Sequence, residues 1–265
     1  MEKKYLLSPG PTPVPPRVLL KMAEPMINHR APVYEEILGR AREGLKYAFQ
    51  TRQEVLIFAS SGTGAMEGAV ANTLCAGDRV LAVESGKFGE RWSGICRAFG
   101  VTPQVLSVRW GEAADPKRIA AALDADPSIR AVFAQATETS TGVVHPMREI
   151  GAVVARHPGT ILVVDAISHL GAMELPMDEW KLDVVIAGSQ KALMLPPGLA
   201  FAAVSEKAWG FVERSTLPRY YFDFQKERKN LLKNQNAFTP AISLVVGLAE
   251  SLEIIRGDGL EKIFA

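Results

Sequence analysis

The chain has 265 residues, 48% hydrophobic and 22% charged, with 30 Lys plus Arg against 29 Asp plus Glu and a net charge of +1. That length is enough to bury a large core, in one big domain or one and a half small ones, and the balanced charge suggests neither a nucleic-acid nor a membrane-surface partner. The only cysteines, Cys75 and Cys96, have neither metal-ligand nor redox-pair spacing, which places the chain in a reducing, cytoplasmic compartment.

No secretory h-region fits the N-terminus, where prolines interrupt a short apolar stretch, and no apolar run is long enough to span a bilayer. Ser8 to Pro16 holds five prolines and reads as an extended arm, placed here at residues 1–20. Residues 33–49 read as a helix, with Val33, Ile37, Leu38, Leu45 and Phe49 near one face. Short apolar runs follow at Val55–Ala59, Val80–Val83, Gln104–Val108, Ala131–Gln135, Ile161–Val164, Val184–Ala187 and Leu199–Val204. Most are apolar throughout, as strands covered on both faces are. Helical stretches at Gly64–Leu74, Gly89–Phe99, Pro116–Leu123 and Met147–Arg156 separate them, and a last helix runs over about Pro240–Ile255. The alternation predicts an α/β fold: a mostly parallel sheet with helices on both faces, spanning residues 21–255. Residues 256–265 read as the start of a second, small domain.

Ligands of open parallel sheets gather beyond the carboxyl ends of the strands. Small residues Ser60 to Gly64 follow the first run and open a helix, where backbone N–H groups and a hydroxyl suit a phosphate. The same residues also suit an ordinary turn, and they lack both the dinucleotide glycine spacing and the P-loop lysine. Asp165 ends another run, where a buried acid needs a cation or donors, or else caps the next turn. Lys191 follows Gly188-Ser-Gln at a third strand end, and partial burial there would lower its pKa and make it a usable amine nucleophile. Phosphate cradle, acid and lysine together are what pyridoxal phosphate requires.

These residues resemble a known family. Ser8-Pro-Gly-Pro-Thr-Pro-Val-Pro, Gln50-Thr-Arg, Ser61-Gly-Thr-Gly-Ala-Met-Glu, Glu138-Thr-Ser-Thr-Gly, Val164-Asp-Ala-Ile-Ser and Gly188-Ser-Gln-Lys occur in the order found in class V aminotransferases. The chain looks most similar to the alanine–glyoxylate and serine–pyruvate branch. The resemblance implies the large domain of fold-type I enzymes, pyridoxal 5'-phosphate as cofactor, and a homodimer with shared active sites. It implies Lys191 as the Schiff-base lysine and Asp165 as partner of the pyridine nitrogen. Phe88 and Ile167 would flank the ring, Thr139 would bond its hydroxyl, and Gly62, Thr63 and Gln190 would hold the phosphate with Thr239 from the neighbouring subunit. The family's carboxylate-gripping arginine belongs to the smaller domain, so it is expected beyond residue 265 and the chain reads as truncated. Transfer from a small amino acid, alanine or serine, to glyoxylate or pyruvate is the implied reaction. The alternatives are a cysteine desulfurase-like lyase, opposed by phenylalanine where that enzyme stacks histidine, and a cofactor-binding chain without turnover.

Overall fold

The computed structural model describes residues 6–265; the start of the N-terminal reading, Met1 to Tyr5, lies outside them. Helix α1 (Pro16–Met22) opens the chain, and α2 (Pro32–Phe49) follows. Then come β1 (Val55–Ser60), α3 (Gly62–Thr73), β2 (Arg79–Glu84), α4 (Lys87–Ala98), β3 (Thr102–Ser107), α5 (Pro116–Ala125) and β4 (Ile129–Gln135). A two-residue ribbon, β5 (Thr137–Glu138) with β6 (Val143–Val144), precedes α6 (Met147–Val154), β7 (Ile161–Asp165), β8 (Val184–Gly188) and β9 (Gly198–Val204). The chain closes with α7 (Glu206–Arg214), α8 (Phe224–Leu231), α9 (Ile242–Asp258) and α10 (Leu260–Phe264).

Seven strands form the main sheet in the order β1-β9-β8-β7-β4-β2-β3. The neighbours from β8 to β3 run parallel, and β9 alone runs against both its partners, β1 and β8. Every residue of β7 and β8 is buried. Successive side chains of a strand point to opposite faces, so burial without alternation means that both faces of the sheet are covered. That is the architecture the apolar runs predict. β3 departs from it: an edge strand containing Pro103, it leaves Val105 exposed. Proline is tolerated there because an edge has spare backbone groups.

Three segments depart from the sequence reading. The arm is not wholly extended, since Pro16 begins α1, where its fixed φ suits a first turn. The last helix runs on to Asp258. The sequence reading assigns no element to the stretch that holds α7 and α8, although α7 buries Ala208, Trp209, Phe211 and Val212 on one face. Among the described residues no helix is long and apolar enough to cross a membrane.

Asn72 ties α3 to the segment that leads into α8. Fully buried, it donates from Nδ2 to the carbonyls of Gly68 (2.7 Å) and Phe222 (2.6 Å), while its Oδ1 accepts from the Phe224 N–H (2.9 Å). Asn72→Ala strands a carbonyl and an N–H away from water and should cost about 2–4 kcal/mol in urea unfolding. A loss below about 0.5 kcal/mol would mean that water replaces the amide.

Candidate active site

The carboxyl ends of β1, β7 and β8 and the first turns of α3 and α4 enclose one cleft, about 470 Å³ counted out to solvent. Gly62, Thr63, Phe88, Thr139, Asp165, Ile167, Gln190 and Lys191 all line it. These are eight of the nine residues singled out from the sequence. The ninth, Thr239, stands exposed ahead of α9 and lines a separate pocket with Tyr221, Asn236 and Phe238. Four further residues line the cleft without having been assigned a role: Ser61, Arg91, Thr137 and Ser168. Of these Arg91 is the largest omission. Its position three residues after Phe88 on a helix is the signal that could have found it.

The parallel sheet brings the chemistry together. Asp165 pairs in register with Gln135 on β4 and Ile186 on β8, which fixes it at the mouth of the sheet's interior. It is 5% exposed, and its Oδ1 accepts only the Ile167 N–H, at 2.9 Å. Burial pushes its carboxyl up to about 6, against the pull of that hydrogen bond and of the Arg91 and Lys191 charges. Burial lowers the Lys191 amine, while the Asp165 charge holds it partly up. Each group thus weakens its own charged form and supports the other's.

Close approach shapes the floor of the cleft. A Cβ at Gly62 would stand 2.2 Å from Ile167 Cδ1, so a side chain at that helix start would displace the side chain beneath it. The N-terminal segment lies over the lysine. Thr12 donates its N–H to the Gln190 carbonyl (3.1 Å) and its hydroxyl to the Lys191 carbonyl (2.8 Å), and a Cβ at Gly10 would lie 2.4 Å from Lys191 Nζ. A proline-rich stretch with no core of its own is therefore held by main-chain bonds to the site.

Buried polar groups set the cleft walls. Glu138, fully buried, accepts from the N–H groups of Phe88 and Gly89 (both 3.1 Å), from the Ser140 N–H (3.1 Å) and from the Ser140 hydroxyl (2.6 Å). A carboxylate at a helix start meets both the free N–H groups and the positive end of the dipole. Glu138 therefore locks Phe88 to the loop that carries Thr139. Thr139 in turn exchanges a 2.7 Å hydrogen bond with Ser168. His169 Nε2 faces the Glu174 carbonyl at 3.2 Å and must donate, so Nδ1 accepts from the Thr137 hydroxyl at 2.8 Å. Burial lowers its pKa, in keeping with the neutral ring this pattern needs. His145 is 2% exposed: Nδ1 accepts from the Ala114 N–H and Nε2 pairs with the Ser85 hydroxyl.

Because Asp165 titrates higher in the fold than in the unfolded chain, the native state binds its proton more tightly. Stability should fall as pH rises from about 4 to about 6 and stay reduced above that range. Asp165→Asn should therefore raise the stability of the cofactor-free protein by about 2 kcal/mol at pH 8, with the gain fading towards pH 4. Urea unfolding across that range measures it. A variant less stable than its parent at pH 8 would show that the carboxylate is a structural cap.

A family model described as aminotransferase class-V matches residues 4–265. The small subunit of a soluble hydrogenase from Synechococcus sp. (strain PCC 6716) is 45% identical over 99% of this chain and 69% of its own. An L-aspartate–glyoxylate aminotransferase from Paracoccus denitrificans (strain Pd 1222) is 40% identical over 97% of this chain and 66% of its own. Among solved structures, the alanine–glyoxylate aminotransferase of a Nostoc species superposes with a TM-score of 0.94, at 28% identity over all of this chain and 71% of that one. With the family match running almost end to end, and with the strand-end lysine and acid of its motifs in one cleft, the chain belongs to the class V aminotransferases.

Proposed function

We propose that this chain is a pyridoxal-phosphate-dependent aminotransferase that moves an amino group from a small amino acid, alanine or serine, to glyoxylate or pyruvate. The carrying observation is that Lys191, Asp165 and the α3 start share one cleft. The residues present fit the cofactor. Ser61 makes no side-chain cap to α3, which leaves first-turn N–H groups for a phosphate. Two similar proteins carry glyoxylate in their names, with aspartate as donor in one and alanine in the other. The alanine-or-serine choice rests on resemblance to the branch. The amine, carboxyl group and hydroxyls that line the cleft suit amino-group transfer.

Pyridoxal phosphate, when bound, supplies a conjugated ring that takes up the electron pair left behind as a bond at the substrate's α-carbon breaks. Gly62, Thr63 and Gln190 would hold its phosphate, Phe88 and Ile167 its two ring faces, and the Thr139 hydroxyl its ring oxygen. Asp165 would partner the pyridine nitrogen, where a protonated base answers the carboxyl group's desolvation. Burial lowers the amine of Lys191, the residue to which the cofactor would be joined, and so favours the free base that can accept a proton. Its Nζ can take the α-proton of the substrate and return it. Gly10 stands against that atom, and Thr12 bonds the main chain of the same lysine.

Incubating the protein with pyridoxal phosphate, reducing with borohydride and mapping peptides by mass should find the cofactor's mass on the Lys191 peptide. Lys191→Ala should abolish the label. Cofactor mass on another lysine in the unmutated protein would overturn the assignment.

We also propose a cytoplasmic homodimer in which residues 1–20 serve as the arm and each cleft borrows Thr239 from the neighbouring chain. Two free cysteines suit a reducing compartment. Thr239 is exposed, immediately precedes Pro240 and the start of α9, and is absent from its own cleft's lining. In mixed dimers of Lys191→Ala and Thr239→Ala chains, one site carries both lesions and the other neither. Such mixtures should recover cofactor affinity beyond either parent. If they do not, Thr239 is a helix-start residue only.

A further inference from the structure

Positive features meet at one corner of the cleft with little to answer them. The α3 start has no side-chain cap, so its first-turn N–H groups keep the positive end of the helix dipole. Lys191 lines the same cleft. Arg91, one turn along α4 from Phe88, donates from Nη1 to Thr63 Oγ1 at 3.1 Å, and its guanidinium lies over the Phe88 ring at 4.8 Å. Among the described residues Arg91 forms no salt bridge, whereas Lys87 on the same helix pairs with Glu90 and Arg79 at the start of β2 pairs with Asp126. Asp165 lines the cleft, and Glu138, buried in its wall, keeps its oxygens on the α4 start; among the described residues neither forms a salt bridge with Arg91. Helix dipole, lysine and arginine together still exceed those two charges, and an oxyanion would offset the excess.

We infer that Arg91 is a phosphate-binding residue of this site, giving its charge to the oxyanion that the α3 start attracts and keeping Thr63 and Phe88 in place around it. The inference rests on the pyridoxal-phosphate reading and adds to it a residue on α4. Arginine suits such a position because it stays charged and presents a fork of donors. Its guanidinium lies over the Phe88 ring while Nη1 reaches Thr63. The rival occupant of such a charge is the substrate's carboxylate. The contact with Thr63, at the helix start, favours the phosphate.

Two ligands that differ only in the phosphate separate these possibilities. The cofactor-free protein would be titrated with pyridoxal phosphate and with pyridoxal, following the ligand's absorbance, for the unmutated chain, Arg91→Gln and Arg91→Lys. Arg91 is exposed, so neither variant should change the melting temperature or the circular dichroism. Arg91→Gln should weaken pyridoxal phosphate by about tenfold or more and pyridoxal by less than about twofold, and Arg91→Lys should recover most of the loss. Equal losses for both ligands would reduce Arg91 to a prop for the Phe88 ring. Unchanged cofactor affinity with a raised KM for the amino acid would hand it to the substrate's carboxylate. Either result overturns the inference and leaves the cofactor reading intact. If the unmutated chain binds neither ligand, that reading fails, and the inference falls with it.

Discussion

Asp165 is held at the end of β7 by strands buried on both faces, with one N–H to satisfy it and with a pKa raised by burial to about 6. A carboxyl group in that position is costly until a positive partner arrives. Lys191 stands near enough to support its charge and is itself kept from full protonation strength by burial. The fold therefore stores a mutual frustration at one point of the sheet. A protonated ring nitrogen beside the acid, and a covalent linkage at the amine, would relieve both halves together. Sites that bind and turn over ligands commonly show this pattern, in which the empty fold is less stable than it could be.

The remaining cleft geometry follows from how that point is walled. Glu138 takes three N–H groups and a hydroxyl and so fixes the first turn of α4 against the β5–β6 loop. His169 holds Thr137 from behind, and Ser168 holds Thr139. None of these supporting groups needs to touch a ligand. Their hydrogen bonds set side-chain positions that loops alone would leave variable. The arm completes the enclosure, since hydrogen bonds from the Thr12 N–H and hydroxyl give an otherwise coreless stretch a defined course over Lys191.

Buried carboxyl groups are handled differently in different parts of the molecule. Glu227, whose pKa burial raises to about 7, accepts from Asn236 Nδ2 and the Ala237 N–H and anchors the segment that leads to Thr239. Asn236 also accepts from the Tyr34 hydroxyl at 2.7 Å, tying that segment to α2. Glu54, by contrast, meets both Arg42 and Lys46, and its pKa is lowered.

The sequence by itself determined the α/β alternation, the apolar strands and the strand-end positions of Asp165 and Lys191, because burial on both faces and the punctuation between elements are local patterns. Motif order identified the family and eight of the residues that line the cleft. Tertiary structure alone decided what those patterns could not encode. Arg91 looks like any charged residue on a helix until the fold turns it onto Phe88 and Thr63. Glu138 and His145 look like polar residues of a loop, and only the packing of α4 and of the Ser85 turn buries them. Strand order, the reversed β9 and the course of the arm likewise depend on contacts between residues far apart in the chain, which no local periodicity records.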